Sequence, residues 1–352
     1  MNKPLFAGRA RSRAKQLAKL FFALNLSLGA FCAFDVCRAL TLSPPTYEIG
    51  ATPGQTLTTG LKIFNETDTG GTFYFETQNF TAKGDDGEPE FIEEDAKTDL
   101  ASWIETPASI DLAAGELKRV EFQIRVPENA DPGGHYTAIF LSNTPPSNGN
   151  GSVGISSKIG TLVLLRVEGD VVEQAKLASF GLAENKKIAG SLPVKFITRI
   201  ENNGTVFVKP SGTIKIFNIF GIKTAETTVN IGKMPDGSLR PVGNVLSNSA
   251  RKFESVWGTA QNAAGGNFFE KLIAEKNNFA LGMFTAQLDL TYGIGNDKKI
   301  TDKITFWVLP WRIMLVGSLV LMIALIIFIQ GIKNYNRWII NKAQNQPPKR
   351  KK

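Results

Sequence analysis

Residues Val120–Val126 read Val-Glu-Phe-Gln-Ile-Arg-Val, with an apolar side chain at every second position. Successive side chains of a β-strand point to opposite faces, so this period predicts a strand with one buried face. Pro127 and the run Asp131–Gly134 (DPGG) are turn-forming residues, and they predict that the strand ends there.

Short stretches with the same period occur on both sides of this strand, separated by turn-forming residues. They are Lys62–Phe64, Phe73–Phe75, Tyr136–Phe140, Leu162–Val167, Leu192–Ile200, Ile214–Ile216, Phe284–Tyr292 and Lys299–Val308. Strands at this spacing indicate an all-β fold of two tandem Ig-like β-sandwiches, which we place at residues 40–168 and 169–308. The Asn203-Gly204 pair predicts a hairpin turn.

Two parts of the second unit repeat features of the first. Gly134–Phe140 (GHYTAIF) and Gly282–Leu288 (GMFTAQL) share a glycine, an aromatic residue, Thr-Ala and a final apolar residue. Ile63–Asn65 and Ile200–Asn202 both end a strand before a polar turn. These pairs occur in the same order along the chain, which indicates that the two sandwiches are related.

The segment Thr259–Asn278 departs from the strand pattern. Ala263–Asn267 indicates a flexible stretch, because it is rich in alanine and glycine. The apolar residues after it have the i, i+1, i+4, i+5 spacing of an amphipathic helix of one or two turns. They are Phe268, Phe269, Leu272 and Ile273.

Residues Ile313–Ile332 (IMLVGSLVLMIALIIFIQGI) contain no charged side chain. Twenty residues of α-helix span about 30 Å, the thickness of the hydrocarbon core of a bilayer. Aromatic residues flank the segment on both sides, as they do at bilayer interfaces. They are Trp307, Trp311, Tyr335 and Trp338. We therefore predict a transmembrane helix at residues 309–333, in contact with lipid through residues 313–332.

Both ends of the chain carry targeting signals. Residues 334–352 form a basic tail without acidic residues, and the positive-inside rule predicts that it is cytoplasmic. Residues 1–39 combine a basic region with the apolar run Leu20–Phe34 and are interpreted as a signal peptide, with an uncleaved anchor as the alternative. In either case residues 40 to about 306 are exported, and with the signal peptide the chain is a single-pass, type I plasma-membrane protein with an extracytoplasmic ectodomain.

The net charge of +8 comes from the two ends of the chain. Residues 1–39 contain seven Lys or Arg and one acidic residue, and residues 310–352 contain eight and none. The part between them is therefore mildly acidic, which gives no indication of nucleic-acid binding. Both cysteines, Cys32 and Cys37, lie in the predicted signal peptide, so no disulfide is expected in the ectodomain.

The sequence contains no pattern of residues that indicates catalysis. The single histidine, His135, lacks the neighbours of a zinc site or a catalytic triad, and we interpret it as a structural residue on an edge strand. Acidic residues gather in one loop, which we interpret as solvated, with a weak calcium site as the alternative. They are Asp85, Asp86, Glu88, Glu90, Glu93, Glu94 and Asp95. We predict no enzyme activity, no cofactor, and no catalytic, cofactor-binding or metal-binding residue.

The exported part resembles bacterial cell-surface proteins of the WxL-interacting type. The matching features are Leu42–Pro45, Pro53–Gln55, Ile63–Asn65, Ile110–Leu112 with Gly115-Glu116, Phe122–Pro127, Gly133–Tyr136 and the C-terminal apolar segment. Similar patterns occur in pilus-chaperone-like sandwiches. The resemblance implies two Ig-like sandwiches, the first assigned to peptidoglycan and the second to partner proteins, with no binding residue carried over.

We therefore expect a non-enzymatic, membrane-anchored protein that binds a cell-wall polymer, such as peptidoglycan, or another surface protein. The alternatives are an extracytoplasmic chaperone or assembly module that uses β-strand addition, and a sensor subunit. Long polar loops are the usual place for binding residues. The two loops that we expect to bind are Lys83–Asp99 and Thr144–Gly154.

Overall fold

The structure is a computed structural model that describes residues 39–93, 98–145, 158–183, 186–259 and 266–344. The predicted signal peptide up to residue 38 lies outside these residues, as do Glu94, Asp95 and the end of the basic tail. Most of the predicted binding loop Thr144–Gly154 lies outside them as well, and so does most of Ala263–Asn267.

The first sandwich is formed by strands β1 to β10 and a short helix, α1. Their bounds are β1 (Leu40–Ser43), β2 (Thr46–Ala51), β3 (Thr56–Asn65), β4 (Gly71–Lys83), β5 (Glu88–Phe91), α1 (Asp99–Trp103), β6 (Ile104–Glu105), β7 (Ser109–Leu112), β8 (Leu117–Arg125), β9 (Gly133–Ser142) and β10 (Lys158–Val167). One sheet has the order β1-β3-β8-β6. The other has the order β2-β10-β9-β4-β5, with β7 beside β4.

The alternation at Val120–Val126 is confirmed by β8. Its apolar residues Val120, Phe122 and Ile124 are buried in the core between the two sheets, while Glu121 and Arg125 are exposed. Residues from the facing sheet, among them Ile139 and Leu141 of β9, complete this core. Burial of such side chains contributes about 1.5–3 kcal/mol each.

The second sandwich is formed by strands β11 to β20 and the helix α2. Their bounds are β11 (Ala175–Leu182), β12 (Ile188–Ala189), β13 (Val194–Asn202), β14 (Ser211–Asn218), β15 (Lys223–Val229), β16 (Ile231–Lys233), β17 (Leu239–Pro241), β18 (Ser249–Trp257), α2 (Phe268–Asn277), β19 (Gly282–Tyr292) and β20 (Lys298–Val308). A sheet β11-β13-β18 faces a sheet β12-β20-β19-β14-β15 over a separate core, and β16 pairs with β17. The prediction of an all-β fold with two tandem sandwiches is confirmed, and the exact domain boundary stays a prediction.

The sequence similarities between the two units correspond to equivalent strands. Both β9 and β19 lie between a preceding strand, β4 or β14, and the strand that follows them, β10 or β20. Asn65 and Asn202 both end a strand, both are fully buried, and both donate from their side-chain amides to two backbone carbonyls across a turn. Equivalent residues therefore occupy equivalent positions, as the sequence similarity indicates.

Two predictions about local structure are wrong. Asn203-Gly204 is not a hairpin turn, because β13 pairs with β11 and β18 while β14 belongs to the other sheet. The buried Asn202 accepts from the Gly204 N–H and holds the chain as it crosses between sheets. His135 is not on an edge strand, since β9 lies between β10 and β4.

A long helix, α3 (Trp311–Gln344), begins three residues after β20 ends. Within Trp311–Asn341, the most apolar stretch of 18 residues has a mean hydropathy of 2.8 and is not buried against the sandwiches. It is the one helix in the described part of the chain that is long and apolar enough to cross a membrane. The helix extends beyond the predicted limit at residue 333, so the basic tail begins within it.

Candidate functional site

The outer face of the larger sheet in the first sandwich is covered by the second sandwich. Along β9, Ile139 and Leu141 point into the core, while Tyr136 points the other way and contacts Phe207 of the second sandwich. Phe80 of β4, Leu164 of β10 and Leu246 of the second sandwich complete this contact, which we call the interdomain cluster. Strand β9 is therefore buried on both faces, and the two sandwiches are docked through apolar side chains.

A polar contact lies beside the interdomain cluster, at the turn between β4 and β5. The Asp85 carboxylate accepts from Arg199 Nε at 3.1 Å, and the Asp85 carbonyl accepts from the Lys252 N–H at 2.7 Å. Lys252 Nζ lies 2.6 Å from the Asp86 carboxylate. Hydrogen bonds from the side chains of Asp85 and then Glu201 raise the pKa of Arg199. Part of the acidic loop thus joins the two sandwiches.

A cleft lies between the sandwiches around the interdomain cluster. One cavity of about 190 Å³ and another of about 480 Å³ share Phe80, Ala82, Leu246 and Ser249 in their walls. The smaller cavity is also lined by the polar side chains of Glu88, Asn244 and Arg251. An apolar cavity with a few polar groups is the usual form of a binding site.

The Arg251 guanidinium is a half-buried charge in the wall of this cleft. It donates to the Asn244 carbonyl at 2.9 Å and lies 5.7 Å from the centre of the Phe253 ring. Within the described ranges no carboxylate forms an ion pair with it, including Glu88 on the same cavity. Burial lowers the pKa of Arg251, because the charged form loses solvation. A guanidinium in this position favours a ligand that carries an anionic group.

Gly87 and Gly243 make room for the Arg251 guanidinium. A side chain at Gly87 would place its Cβ 2.2 Å from Arg251 Cζ, and one at Gly243 would lie 3.1 Å from the same atom. The φ of Gly87 is 81°, a conformation that residues with a Cβ rarely adopt. The β4–β5 turn therefore brings the first sandwich directly against this arginine.

Asn244 contains a buried hydrogen-bond acceptor in the wall of the same cleft. Its side-chain amide donates to the Glu48 carboxylate at 2.8 Å, but its buried Oδ1 has no partner within the part of the chain that the structure describes. A buried acceptor without a donor is unfavourable by about 1–3 kcal/mol. The wall of the cleft thus contains a buried acceptor without a donor, close to a guanidinium without a carboxylate partner in the described residues.

One of the two predicted binding loops contributes to the walls of this cleft. Of Lys83–Asp99, the residues Gly87–Pro89 line the smaller cavity, and Ile92 with Thr98 and Asp99 line the larger one. Of Thr144–Gly154, only residues 144 and 145 are described. In the described ranges no group of three or more His, Cys, Asp or Glu side chains is arranged to hold a metal ion.

Sequence analysis did not find Arg251 or Asn244. Arg251 lies in β18 among other polar residues, and nothing in its spacing distinguishes it from a solvent-facing arginine. Tyr136 belongs to a predicted strand, but its alternation does not say that the second sandwich covers it, and Phe80 lies beyond the predicted stretch Phe73–Phe75. The cleft exists only because two distant segments meet there.

Strand addition requires an open sheet edge, and β20 provides one. On the side away from β19, β12 pairs only with Trp307 and Val308. The remaining part of β20 includes the exposed residues Thr301, Asp302 and Lys303. Charged side chains on an edge strand disfavour pairing with another chain. The structure therefore favours the cleft over this edge as the place of contact.

The chain is similar to several solved pilus-chaperone structures. A class 5 fimbriae chaperone, CfaA, has 10% identity, 75% coverage of this chain, 98% coverage of that chain and a TM-score of 0.35. The Pseudomonas aeruginosa CupB2 chaperone has 10% identity, coverages of 76% and 100% and a TM-score of 0.33. The E. coli chaperone DraB has 12% identity, coverages of 77% and 97% and a TM-score of 0.29. At these identities and TM-scores the similarities do not indicate what the chain binds.

No protein-family model matches the chain, and no curated protein matches it. The resemblance to WxL-interacting proteins therefore stays a prediction.

Proposed function

We propose that this chain is a non-enzymatic, single-pass membrane protein that binds a polypeptide segment of another exported or surface protein in the interdomain cleft. The observation that carries the proposal is the half-buried Arg251 guanidinium, which has no carboxylate partner in the described residues. A buried charge without a partner is unfavourable, and a carboxylate supplied by a ligand would remove that cost.

The groups around Arg251 fit the carboxyl end of a peptide. Such an end carries a carboxylate, a backbone N–H and one side chain within a few ångströms. Arg251 can donate to the carboxylate. Phe80, Leu162 and Leu164 offer an apolar wall to the side chain. A protein partner with an apolar residue at its free carboxyl end is the ligand that this chemistry favours.

The helix α3 would hold the binding unit at the membrane. Its apolar length supports a membrane anchor, and the basic residues after Ile332 support a cytoplasmic carboxyl end with the sandwiches outside. In this arrangement the cleft would receive segments of proteins that have been exported or that stand on the cell surface. The wall-polymer expectation is tested separately, by co-sedimentation of the same protein with isolated sacculi.

The test uses the full chain in lipid nanodiscs and a set of synthetic peptides that differ in the last residue, each as a free acid and as an amide. Binding is measured by fluorescence polarisation. We expect peptides with an apolar last residue and a free carboxylate to bind. Amidation or the variant Arg251→Gln should weaken binding about 10- to 100-fold, because a charge-assisted hydrogen bond is lost.

Arg240→Gln is the matched control, since Arg240 is an exposed arginine in the same sandwich and pairs with Asp236. It should leave binding unchanged. If the free acids and amides bind equally, if Arg251→Gln binds as the unmodified chain does, or if no peptide of the set binds, the proposal is wrong.

A further inference from the structure

The second sandwich exposes a group of large apolar side chains at one end, which we call the apolar rim. Its members and their exposed fractions are Ile219 (61%), Phe220 (82%), Ile222 (61%), Phe269 (70%), Ile273 (58%), Phe279 (57%) and Leu281 (50%). Single exposed apolar residues are common on protein surfaces, but a contiguous group marks a surface that something covers. A groove of about 440 Å³ joins the β14–β15 turn to Phe279 and Leu281.

The apolar rim lies where the chain leaves the sandwich for α3. In the larger sheet, Asn218 pairs with Phe284, and Gly282 pairs with Val308, the last residue of β20. The ring of Phe268 in α2 lies 6.4 Å from that of Trp311, the first residue of α3. The β14–β15 turn, α2 and the start of α3 therefore share one end of the sandwich.

Helix α2 buries one charged side chain and exposes large apolar ones. Its buried residue is Glu275, which is 2% exposed and accepts from Arg312 Nη1 at 2.6 Å. Its apolar residues Phe269 and Ile273 point outward. A surface helix in water buries its apolar side chains. The exposed apolar side of α2 is therefore suited to an apolar surrounding, such as the region just below lipid headgroups.

The β14–β15 turn presents its apolar residues in a fixed conformation. The Asn218 side chain accepts from the N–H groups of Phe220 and Ile222, both at 3.0 Å. Gly221 has a φ of 74° and donates to the Asn218 carbonyl at 2.9 Å. Holding Ile219, Phe220 and Ile222 in this way without a covering surface would be unfavourable in water.

We propose that the apolar rim inserts into the interfacial region of the same bilayer that α3 spans, so that the second sandwich stands on the membrane surface. The bilayer is the surface that we expect to cover the rim, because the rim is continuous with the apolar surface of α3. The contact of Phe268 with Trp311 joins the two. The ion pair of the buried Glu275 with Arg312 joins α2 to the start of α3. The proposal rests on membrane anchoring by α3 and does not depend on a ligand in the interdomain cleft.

The test attaches the environment-sensitive fluorophore NBD to single cysteines in the full chain, with Cys32 and Cys37 changed to serine. The rim positions are Phe220→Cys, Phe269→Cys and Phe279→Cys. The matched control is Ile294→Cys, an apolar residue that is 71% exposed in the turn between β19 and β20. This turn lies at the other end of the 11-residue strand β19, about 33 Å from the rim. Leu321→Cys, in the middle of the apolar part of α3, reports insertion of α3 itself.

In nanodiscs of phosphatidylcholine and phosphatidylglycerol, we expect blue-shifted emission from the three rim labels and quenching by nitroxide groups on the lipid acyl chains. Aqueous iodide should quench the Ile294→Cys label and have little effect on the rim labels. Rim labels as accessible to iodide as the control would overturn the proposal. Rim labels shielded from iodide but not quenched by the lipid nitroxides would also overturn it, because a protein would then be the covering surface.

The label at Leu321→Cys separates this inference from the anchor on which it rests. If it is quenched by lipid nitroxides while the rim labels are not, α3 is inserted and only the rim proposal is wrong. If it is not quenched, both the membrane anchor and the rim proposal are wrong.

Discussion

The two sandwiches contain the same turn-forming asparagine but use their outer surfaces differently. Asn65 and Asn202 are both fully buried, and each makes the same pattern of bonds at the end of an equivalent strand. The outer face of β9 in the first sandwich is covered by Leu246 and Phe207 of the second. The second sandwich instead exposes its apolar residues beside α3. The two sandwiches thus share the same internal framework, while their outer surfaces make different contacts.

The largest expected effect comes from removing either buried asparagine. Asn202→Ala should lower the free energy of unfolding by about 2–4 kcal/mol, because the Val206 and Val245 carbonyls and the Gly204 N–H lose their buried partner. Asn65→Ala should have a similar cost, because the Thr69 and Ala113 carbonyls lose theirs. Hydrogen exchange measured by mass spectrometry on the full chain in nanodiscs checks both variants.

The two variants differ in where protection should be lost. Asn65→Ala should affect the first sandwich, whereas Asn202→Ala should also loosen the contact between Thr205 and Gly134 that joins the sandwiches. Asn143→Ala, at an exposed position, is the control and should change little. Exchange in both variants equal to that in the control would show that neither asparagine stabilises its sandwich.

A smaller loss of stability is expected from a change in the contact between the two sandwiches. Leu246→Ala should weaken their docking by about 2 kcal/mol, because Leu246 is 9% exposed and contacts the outer face of the first sandwich. Thermal unfolding should then separate into two transitions. Leu239→Ala, at a position that is 68% exposed, should leave the melting curve unchanged. A single transition at the original temperature in both variants would contradict the docking role of Leu246.

The smallest effect concerns His135, which has no counterpart in the second sandwich because Met283 stands at the matching position. His135 Nδ1 lies 2.6 Å from Asp99 Oδ1, and Nε2 lies 2.9 Å from the Asp131 carbonyl. Both partners are acceptors, so only the protonated ring satisfies both. Burial opposes protonation, but the hydrogen bonds with Asp99 and Asp131 outweigh it and raise the pKa of His135.

A raised pKa gives stability that is fully present below the pKa of the unfolded state and is lost as pH rises through the folded pKa. We expect the melting temperature to fall with rising pH across that range. Asp99→Asn should remove most of this dependence, with an effect below about 1 kcal/mol, because the Asp99 side chain is 44% exposed to solvent. Asp111→Asn, on an acidic residue outside this pair, is the control. The same pH dependence in both variants would rule out the His135–Asp99 pair as its source.

The strands were predictable because their signal is local. The alternations in β8 and β19 place Ile124 and Leu288 in the two cores, and both are buried as the pattern predicts. The same period failed to show that Tyr136 is covered, because alternation distinguishes two faces and does not say what lies against each. The prediction of a hairpin at Asn203-Gly204 was wrong for a related reason. The residues that favour a turn are local, but which strands pair on either side of it is not.

By itself, the sequence determined the all-β class, the repeated strand pattern, the helix that begins at Phe268 and the apolar length of α3. Each of these depends on the period of side chains within about twenty residues. Only the tertiary structure decided the cleft around Arg251, the ion pairs of Asp85, and the outward direction of Phe269 and Ile273. These depend on contacts between segments far apart in the chain, such as Gly87 with Arg251 and Glu275 with Arg312, and local spacing carries no information about such contacts.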